Sequence, residues 1–181
     1  MNDAHRPELG LAAGDRNHPW TRGTAVGRPP VMAAAVVLMV VIADQASKNL
    51  AVGALFDGPA EGPGPLWFRL VANRGALMGF PLPGWLLIGA VVAVVAMAVR
   101  SLLEPGSRLA ALGWGLVVGG ALGNLADRFL HRPRFPDHAV VDWIASSVLP
   151  TFNLADVAIV AGLVTLAASS KRSTRIARVA T

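Results

Sequence analysis

The chain has 181 residues, of which 54% are apolar and 15% charged, with a formal net charge of +5 and no cysteine. A soluble domain carries about 25% charged residues, so the composition points to a membrane protein. Without a thiol there are no disulfides, thiolate metal sites or cysteine nucleophile, and without interleaved aromatic and basic residues the basic excess predicts no nucleic-acid partner.

Residues 1–30 are polar, with Pro7, Pro19, Pro29 and Pro30 among scattered arginines, and are predicted to form a flexible cytoplasmic tail. A cleaved signal peptide is not expected, because this polar region is too long and no small-residue cleavage site follows the first apolar run. That run, Val31–Leu50, is the first of four predicted transmembrane helices. Residues 51–81 form an outer segment, a Gly/Pro-rich "DGPAEGPGP" followed by "LWFRLVANRGA", whose bulky apolar start reads as a short strand before a turn. The second span is Leu82–Val99, followed by a short inner loop at 100–108, and the third is Leu109–Ala126. Residues 127–150 make a second outer segment, with an irregular "HRPRFPDH" and then "AVVDWIASSVL" as a strand or short interfacial helix. The fourth span is Thr151–Ser169, and residues 171–181 form a basic cytoplasmic tail. Each span has about the 17 to 25 residues that cross a bilayer.

With the N-terminus inside, the inner side carries ten Lys and Arg against four Asp and Glu, and the outer side six against seven. This is the positive-inside asymmetry, and it accounts for the isoelectric point of about 11.2. The chain has no internal repeat, so an inverted-repeat transporter gains no support.

Five polar clusters interrupt the apolar background: "DQASK" (44–48), "NRGA" (73–76), "GNLADR" (123–128), "VVD" (140–142) and "FNLAD" (152–156). The predicted topology gathers all five toward the outer side. In the third span Ala111, Gly115, Gly119, Gly123 and Asp127 recur every four residues, a face of small side chains along which another helix can approach closely. Asp127 continues that face and is expected to point into the bundle; the helix macrodipole opposes an acid at this end, which argues against a simple cap. Asp156 lies near a helix start, where the dipole favours a carboxylate and Asn153 can cap. Two carboxylates at one depth in a low dielectric share a proton, so one can act as base toward water while the other donates. Asp127 and Asp156 are the expected pair. Asp44 and Lys48, four apart, are expected to form an internal ion pair, and Asp142 to anchor the outer segment through hydrogen bonds. His5, His18, His131 and His138 lack metal-ligand spacing, no metal is expected, and no serine has a His/Asp context.

These five motifs, in this order across four predicted spans, resemble the lipoprotein signal peptidase (signal peptidase II) family, whose pattern D-Q-x-S/T-K, N-x-G-x, G-N-x-x-D-R, V-V-D and F-N-x-A-D they match between about residues 31 and 170. The resemblance implies a membrane all-α fold, four transmembrane helices with a small extracytoplasmic β-sheet, in the bacterial cell membrane with both termini cytoplasmic. It implies an intramembrane aspartic endopeptidase that needs no cofactor. The enzyme would cleave diacylglyceryl-modified prolipoproteins before the lipid-modified cysteine, within membrane lipid and with the active site toward the extracytoplasmic side. Carried over residue by residue, Asp127 and Asp156 would be catalytic. Asp44, Lys48, Asn73, Gly75, Asn124, Arg128, Asp142 and Asn153 would bind substrate or support the pair. After "NRGA" the family shows a small residue and then an aromatic one, where this chain has Leu77 and Met78. That departure bears on the substrate-facing shape of the loop. The alternatives are a substrate-restricted or catalytically silent paralogue, or a proton- or ion-coupled transporter.

Overall fold

The computed structural model describes residues 28–59, 64–76, 80–104 and 107–179, with side chains described from Pro29 to Ser170. The elements in chain order are α1 (Arg28–Leu55), β1 (Leu66–Asn73), α2 (Gly84–Leu103), α3 (Arg108–Asp127), β2 (Val140–Ser146) and α4 (Leu154–Val179). The expected tail at 1–30 lies outside the described residues up to position 27. Its last three residues, Arg28, Pro29 and Pro30, belong to α1 instead. Proline is tolerated in a first helical turn, where the missing N–H would have no partner anyway.

Among the described residues, three helices are long and apolar enough to cross a membrane: Pro29–Leu55, Gly84–Leu103 and Arg108–Asp127. The apolar part of the fourth is shorter, Leu154–Ser170. The predicted fourth span starts too early because Thr151–Asn153 are not helical: Phe152 makes a β-bridge to Ile144. At its other end α4 runs on to Val179, into the stretch expected to be a tail.

α3 is the central helix, and its glycines set how closely its neighbours approach. A Cβ on Gly115 would lie 2.7 Å from Val36 of α1, and one on Gly119 2.8 Å from Val40. The face of Ala111, Gly115, Gly119, Gly123 and Asp127 is buried throughout, and it is α1 that covers it. A second glycine face of the same helix meets α4, where a Cβ on Gly113 would lie 2.8 Å from Leu166. Small residues at both seams let the backbones pack without a solvent-driven hydrophobic effect, which is absent in lipid. α2 packs less tightly; Ala98 is its one buried residue, and Trp85, Ile88, Val92 and Met97 are exposed. A helix apolar all round fits a lipid environment.

β1 and β2 pair antiparallel at one end of the bundle, with Leu66 opposite Ser146 and Asn73 opposite Val140. Phe152 extends the pairing: its N–H donates to the Ile144 carbonyl at 3.0 Å, and its own carbonyl accepts from Trp143 and Ile144. The chain after β2 therefore folds back along the strand and delivers Asn153 and the start of α4 beside Asp142.

Gly120→Ala should destabilise the bundle by about 1–3 kcal/mol, because its Cβ would strike the Ala155 backbone carbonyl, which cannot move aside. Gly53→Ala, with nothing near its Cβ, should be neutral or slightly stabilising. Thermal unfolding in detergent measures the contrast.

Candidate active site

The polar clusters meet at the end of the bundle that carries the sheet, and they divide into two groups. In the first, Lys48 of α1 bridges two acids, with Nζ 2.7 Å from Asp44 Oδ2 and 2.9 Å from Asp127 Oδ2. The expected i, i+4 pair is therefore present, with a third member from α3. Arg132 from the β2-side loop makes a second ion pair to Asp127, Nη1 to Oδ1 at 2.8 Å. Asp44, Lys48 and Asp127 side chains are all 0% exposed, so each charge has lost its hydration and depends on its partners.

Gln45 ties the group together. Its Nε2 donates to Asp127 Oδ1 at 2.9 Å and to the Gly123 carbonyl at 3.0 Å, and its Oε1 accepts from Arg132 Nη2 at 2.6 Å. Arg132 Nε also donates to Asn49 Oδ1 at 3.0 Å. The Val141 N–H donates to Asp127 Oδ2 at 3.1 Å, so Asp127 also anchors β2 one residue before Asp142. Asp44 Oδ1 accepts from the Ala155 N–H at 3.0 Å and satisfies one of the free donors at the start of α4.

The second group is held by amides. Asp142 accepts from Asn73 Nδ2 at 2.9 Å and from Asn153 Nδ2 at 2.6 Å. Asn153 caps α4 as expected, its Oδ1 accepting from the Asp156 N–H at 3.0 Å. Asn124 Nδ2 donates to Asp156 Oδ1 at 2.8 Å, while its Oδ1 accepts from Asn153 Nδ2 at 3.0 Å and from Lys48 Nζ at 2.9 Å. Asp142 and Asp156 are thus joined through Asn153 and Asn124. Asp142 lies in β2, outside the spanning helices, and its carboxyl is pushed up to about 7, first by burial and then by the neighbouring Asp156 charge. Among the described residues, two buried side-chain atoms lack a hydrogen-bond partner, Trp143 Nε1 and Asp156 Oδ2.

Arg128 closes α3 and donates from Nη1 to the Asn124 carbonyl at 2.8 Å and from Nη2 to the Gly75 carbonyl. Its cation lies within electrostatic reach of Asp127, Asp142 and Asp156. The Gly75 N–H donates to Asn73 Oδ1 at 2.8 Å, so the "NRGA" turn fixes the amide that holds Asp142. Beside these groups opens a cavity of about 150 Å³ between α2 and α3. Asn73, Asn124 and Arg128 form its polar end; Leu87, Val91 and Leu125 belong to its apolar wall. Each of Asp142 and Asp156 is one hydrogen bond from a residue lining this groove.

The structure brings Asp44, Lys48, Asn73, Gly75, Asn124, Arg128, Asp142, Asn153 and Asp156 together as the motifs suggested. Asp127 joins them through Lys48 and points into the bundle as expected. A carboxylate offers about four acceptor sites, and Asp127 has Gln45, Arg132, Lys48 and Val141 on them. Asp142, read from sequence as an anchor, does anchor the outer segment through Asn73, and it is also the acid whose charge Asp156 perturbs. Arg132 escaped sequence reasoning, although two acids facing one lysine imply a second cation. Leu77 and Met78 lie outside the described residues. His131 and His138 are exposed, His131 pairing with Asp137 at 2.8 Å. Among the described residues no three His, Asp or Glu side chains are grouped to hold a metal ion.

A helical membrane bundle with buried acids at one end is the frame of a membrane enzyme, and comparison with known proteins gives the family. Residues 36–171 match the family profile of signal peptidase (SPase) II, and the chain belongs to that family. The lipoprotein signal peptidase of Rhodococcus jostii (strain RHA1) is 36% identical over 166 residues, 85% of this chain and 82% of its own length. That of Syntrophomonas wolfei is 38% identical over 130 residues, 69% of this chain and 83% of its own. A solved structure described as a bacterial membrane enzyme obtained by the in meso method at 2.3 Å shares the fold, with TM-score 0.66 and 22% identity over 78% of this chain and 88% of its own.

Arg132→Gln should leave two buried carboxylates facing one lysine and destabilise the protein by about 3–5 kcal/mol. Adding Asp127→Asn should recover part of that loss. A double-mutant cycle on thermal or denaturant unfolding measures it, and strict additivity would rule the coupling out.

Proposed function

We propose that this protein is an intramembrane aspartic endopeptidase that removes signal peptides from prolipoproteins before a diacylglyceryl-modified cysteine, with Asp142 and Asp156 as its catalytic pair. Membership of the signal peptidase II family carries the activity. The choice of pair rests on one observation: Asp142 and Asp156 are held by amides, with one oxygen of Asp156 unpartnered. Asp127 instead pairs with two cations and accepts from Gln45 and the Val141 N–H, so none of its acceptor sites is left open. In this reading Asp127 organises the site and fixes β2, in place of the catalytic part suggested by its motif.

The chemistry follows from one proton on two carboxylates. The ionised member takes a proton from water as the water oxygen attacks the scissile carbonyl carbon. The protonated member gives its proton to the carbonyl oxygen, which becomes the hydroxyl of a tetrahedral intermediate. On collapse the C–N bond breaks, the leaving nitrogen takes a proton from the pair and one hydroxyl of the intermediate returns its proton to the other carboxylate, so the pair again holds one proton. Arg128 balances the single negative charge of the half-protonated pair, and Asn73, Asn124 and Asn153 hold the two carboxyl groups in register. The groove between α2 and α3 offers the substrate an apolar wall beside these polar groups.

Asp142→Asn and Asp156→Asn should each lower cleavage of a lipidated precursor by at least about 10³-fold. Asp156→Asn should preserve thermal stability, since its Oδ2 accepts no hydrogen bond and an amide NH2 can stand there, whereas Asp142→Asn sets its NH2 against an amide donor and should lose some. Asp127→Asn should lose stability together with activity. Mass analysis of a purified protein's products reads both outcomes, and full activity in either of the first two variants sinks the pair. The pH dependence has a definite sign. Asp142 binds its proton more tightly in the folded protein, about 7 against 3.8, so stability falls as pH rises between those values. Cleavage should likewise decline above about pH 7, where the shared proton is lost.

The same reading assigns a topology: α4 crosses as a fourth span, both termini are cytoplasmic and the sheet end is extracytoplasmic. The Lys and Arg bias supports this. Because the chain has no cysteine, Asp57→Cys and Ser173→Cys can be labelled singly. An impermeant maleimide should label the first in intact cells and the second only after lysis; the reverse pattern contradicts the orientation.

A further inference from the structure

On the other side of the sheet from the groove lies an open basin of about 650 Å³ that the cleavage chemistry does not use. Its lining combines the end of α1 (Leu55, Phe56), β1 (Trp67, Arg69) and the loop before β2 (Arg134, Phe135). The irregularity in the strand register between Phe68 and Val71 changes which side chains face the basin: Trp67 lines it before the bulge, Arg69 and Leu70 within it and Ala72 after it.

Both arginines keep an unbalanced charge. Arg69 donates from Nε and Nη2 to one neutral acceptor, Thr151 Oγ1, at 3.2 and 3.1 Å. Arg134 sits with its guanidinium 5.3 Å from the centre of the Phe56 ring. It does so from a left-handed backbone conformation, φ 65°, that a residue with a Cβ rarely adopts. Among the described residues neither arginine has an acidic partner, no acid lines the basin, and the nearby Asp137 is paired with His131. Two cations are thus held over an aromatic floor, with no acidic partner among the described residues.

The depth of the basin identifies its occupant. The spanning part of α1, Pro29–Leu55, has 27 residues and so measures about 40 Å. A bilayer including its headgroup layers measures about 40–45 Å, which puts Leu55 and Phe56 at headgroup level. Arginine forks match phosphate oxygens, and aromatic residues favour this boundary. We propose that the basin binds the phosphate headgroup of an anionic phospholipid, with Arg69 and Arg134 as ligands and Phe56, Trp67 and Phe135 against its glycerol region. A soluble acidic segment of the precursor would gain nothing from that apolar floor.

Lipid retention on the purified full-length protein, measured by native mass spectrometry against equal phosphatidylglycerol and phosphatidylcholine, tests this without catalysis, so it stands or falls apart from the peptidase reading. The wild type should retain phosphatidylglycerol with a several-fold preference. Arg69→Gln with Arg134→Gln should bring the ratio near one, and Arg74→Gln, outside the basin, should leave it unchanged. Arg134→Gly, which relieves the left-handed residue, should weaken the preference at undiminished thermal stability. An unchanged ratio in the double variant, or equal loss in Arg74→Gln, overturns the site. Equal binding of glycerol phosphate, or binding of an acidic peptide that the double variant abolishes while its lipid ratio persists, overturns the lipid as occupant.

Discussion

Moving a carboxylate out of water costs several kcal/mol unless a cation and hydrogen bonds meet it, and α1 and α3 bring Asp44 and Asp127 to the same buried place. Lys48 reaches both, but one cation between two anions leaves the cluster negative. Arg132 completes the balance from a loop that lies outside every helix. Much of the surrounding structure follows from this neutral four-charge cluster. Asp44 reaches across to the first turn of α4 through the Ala155 N–H, and Asp127 reaches to β2 through the Val141 N–H. The start of α4 and the strand that carries Asp142 are therefore both moored to it.

The four clustered acids divide by the kind of donor that holds them. Asp44 and Asp127 are held by the ammonium of Lys48, and Asp127 also by the guanidinium of Arg132. An amide N–H donates to a carboxyl oxygen whether or not the other oxygen carries a proton. Asp142 and Asp156, held by Asn73, Asn153 and Asn124, keep their geometry while a proton comes and goes. Acid–base chemistry needs that freedom, which is why the proposed pair is Asp142 and Asp156. Lys48 links the two halves, since its third contact is Asn124 Oδ1. This contact orients the amide so that its Nδ2 faces Asp156.

Several of these features were legible in the sequence because they are local. The four-residue recurrence from Ala111 to Asp127 specifies one helix face, and that face is buried. Asn153 three residues before Asp156 specifies a cap, and the cap is present. Asp44 and Lys48 specify an i, i+4 pair. The approach of Asp142 to the start of α4 was not local. It depends on β2 pairing with β1 and on Phe152 folding back against Ile144, which brings Asp142 to the end of a helix eleven residues later in the chain. Helical periodicity carries no information about that return. The same fold-back explains why a span read from hydropathy as beginning at Thr151 begins as a helix only at Leu154. Arg132 was hidden for a different reason: a loop arginine among prolines has no local mark of burial, and only the charge count of its distant partners calls for it.

The glycines of α3 connect packing to the polar site. A Cβ at Gly123 would lie 2.7 Å from Asp44 Oδ2, in the space where Asp44 turns toward Lys48. The distance between α1 and α3 at this level is therefore set by the absence of a side chain, and the ion pairs of Lys48 inherit that distance. One turn earlier Gly119 sets it against Val40, and on the other face Gly120 sets it against Ala155 of α4. In lipid no hydrophobic effect pulls helices together, so close backbone contact and the buried charges must supply the attraction jointly. Each depends on the other: the glycines bring the charges within bonding distance, and the bonded charges hold together helices whose facing surfaces are too small to grip strongly alone. A change in the seam is thus a change in the site, even where it lies two turns from the nearest acid.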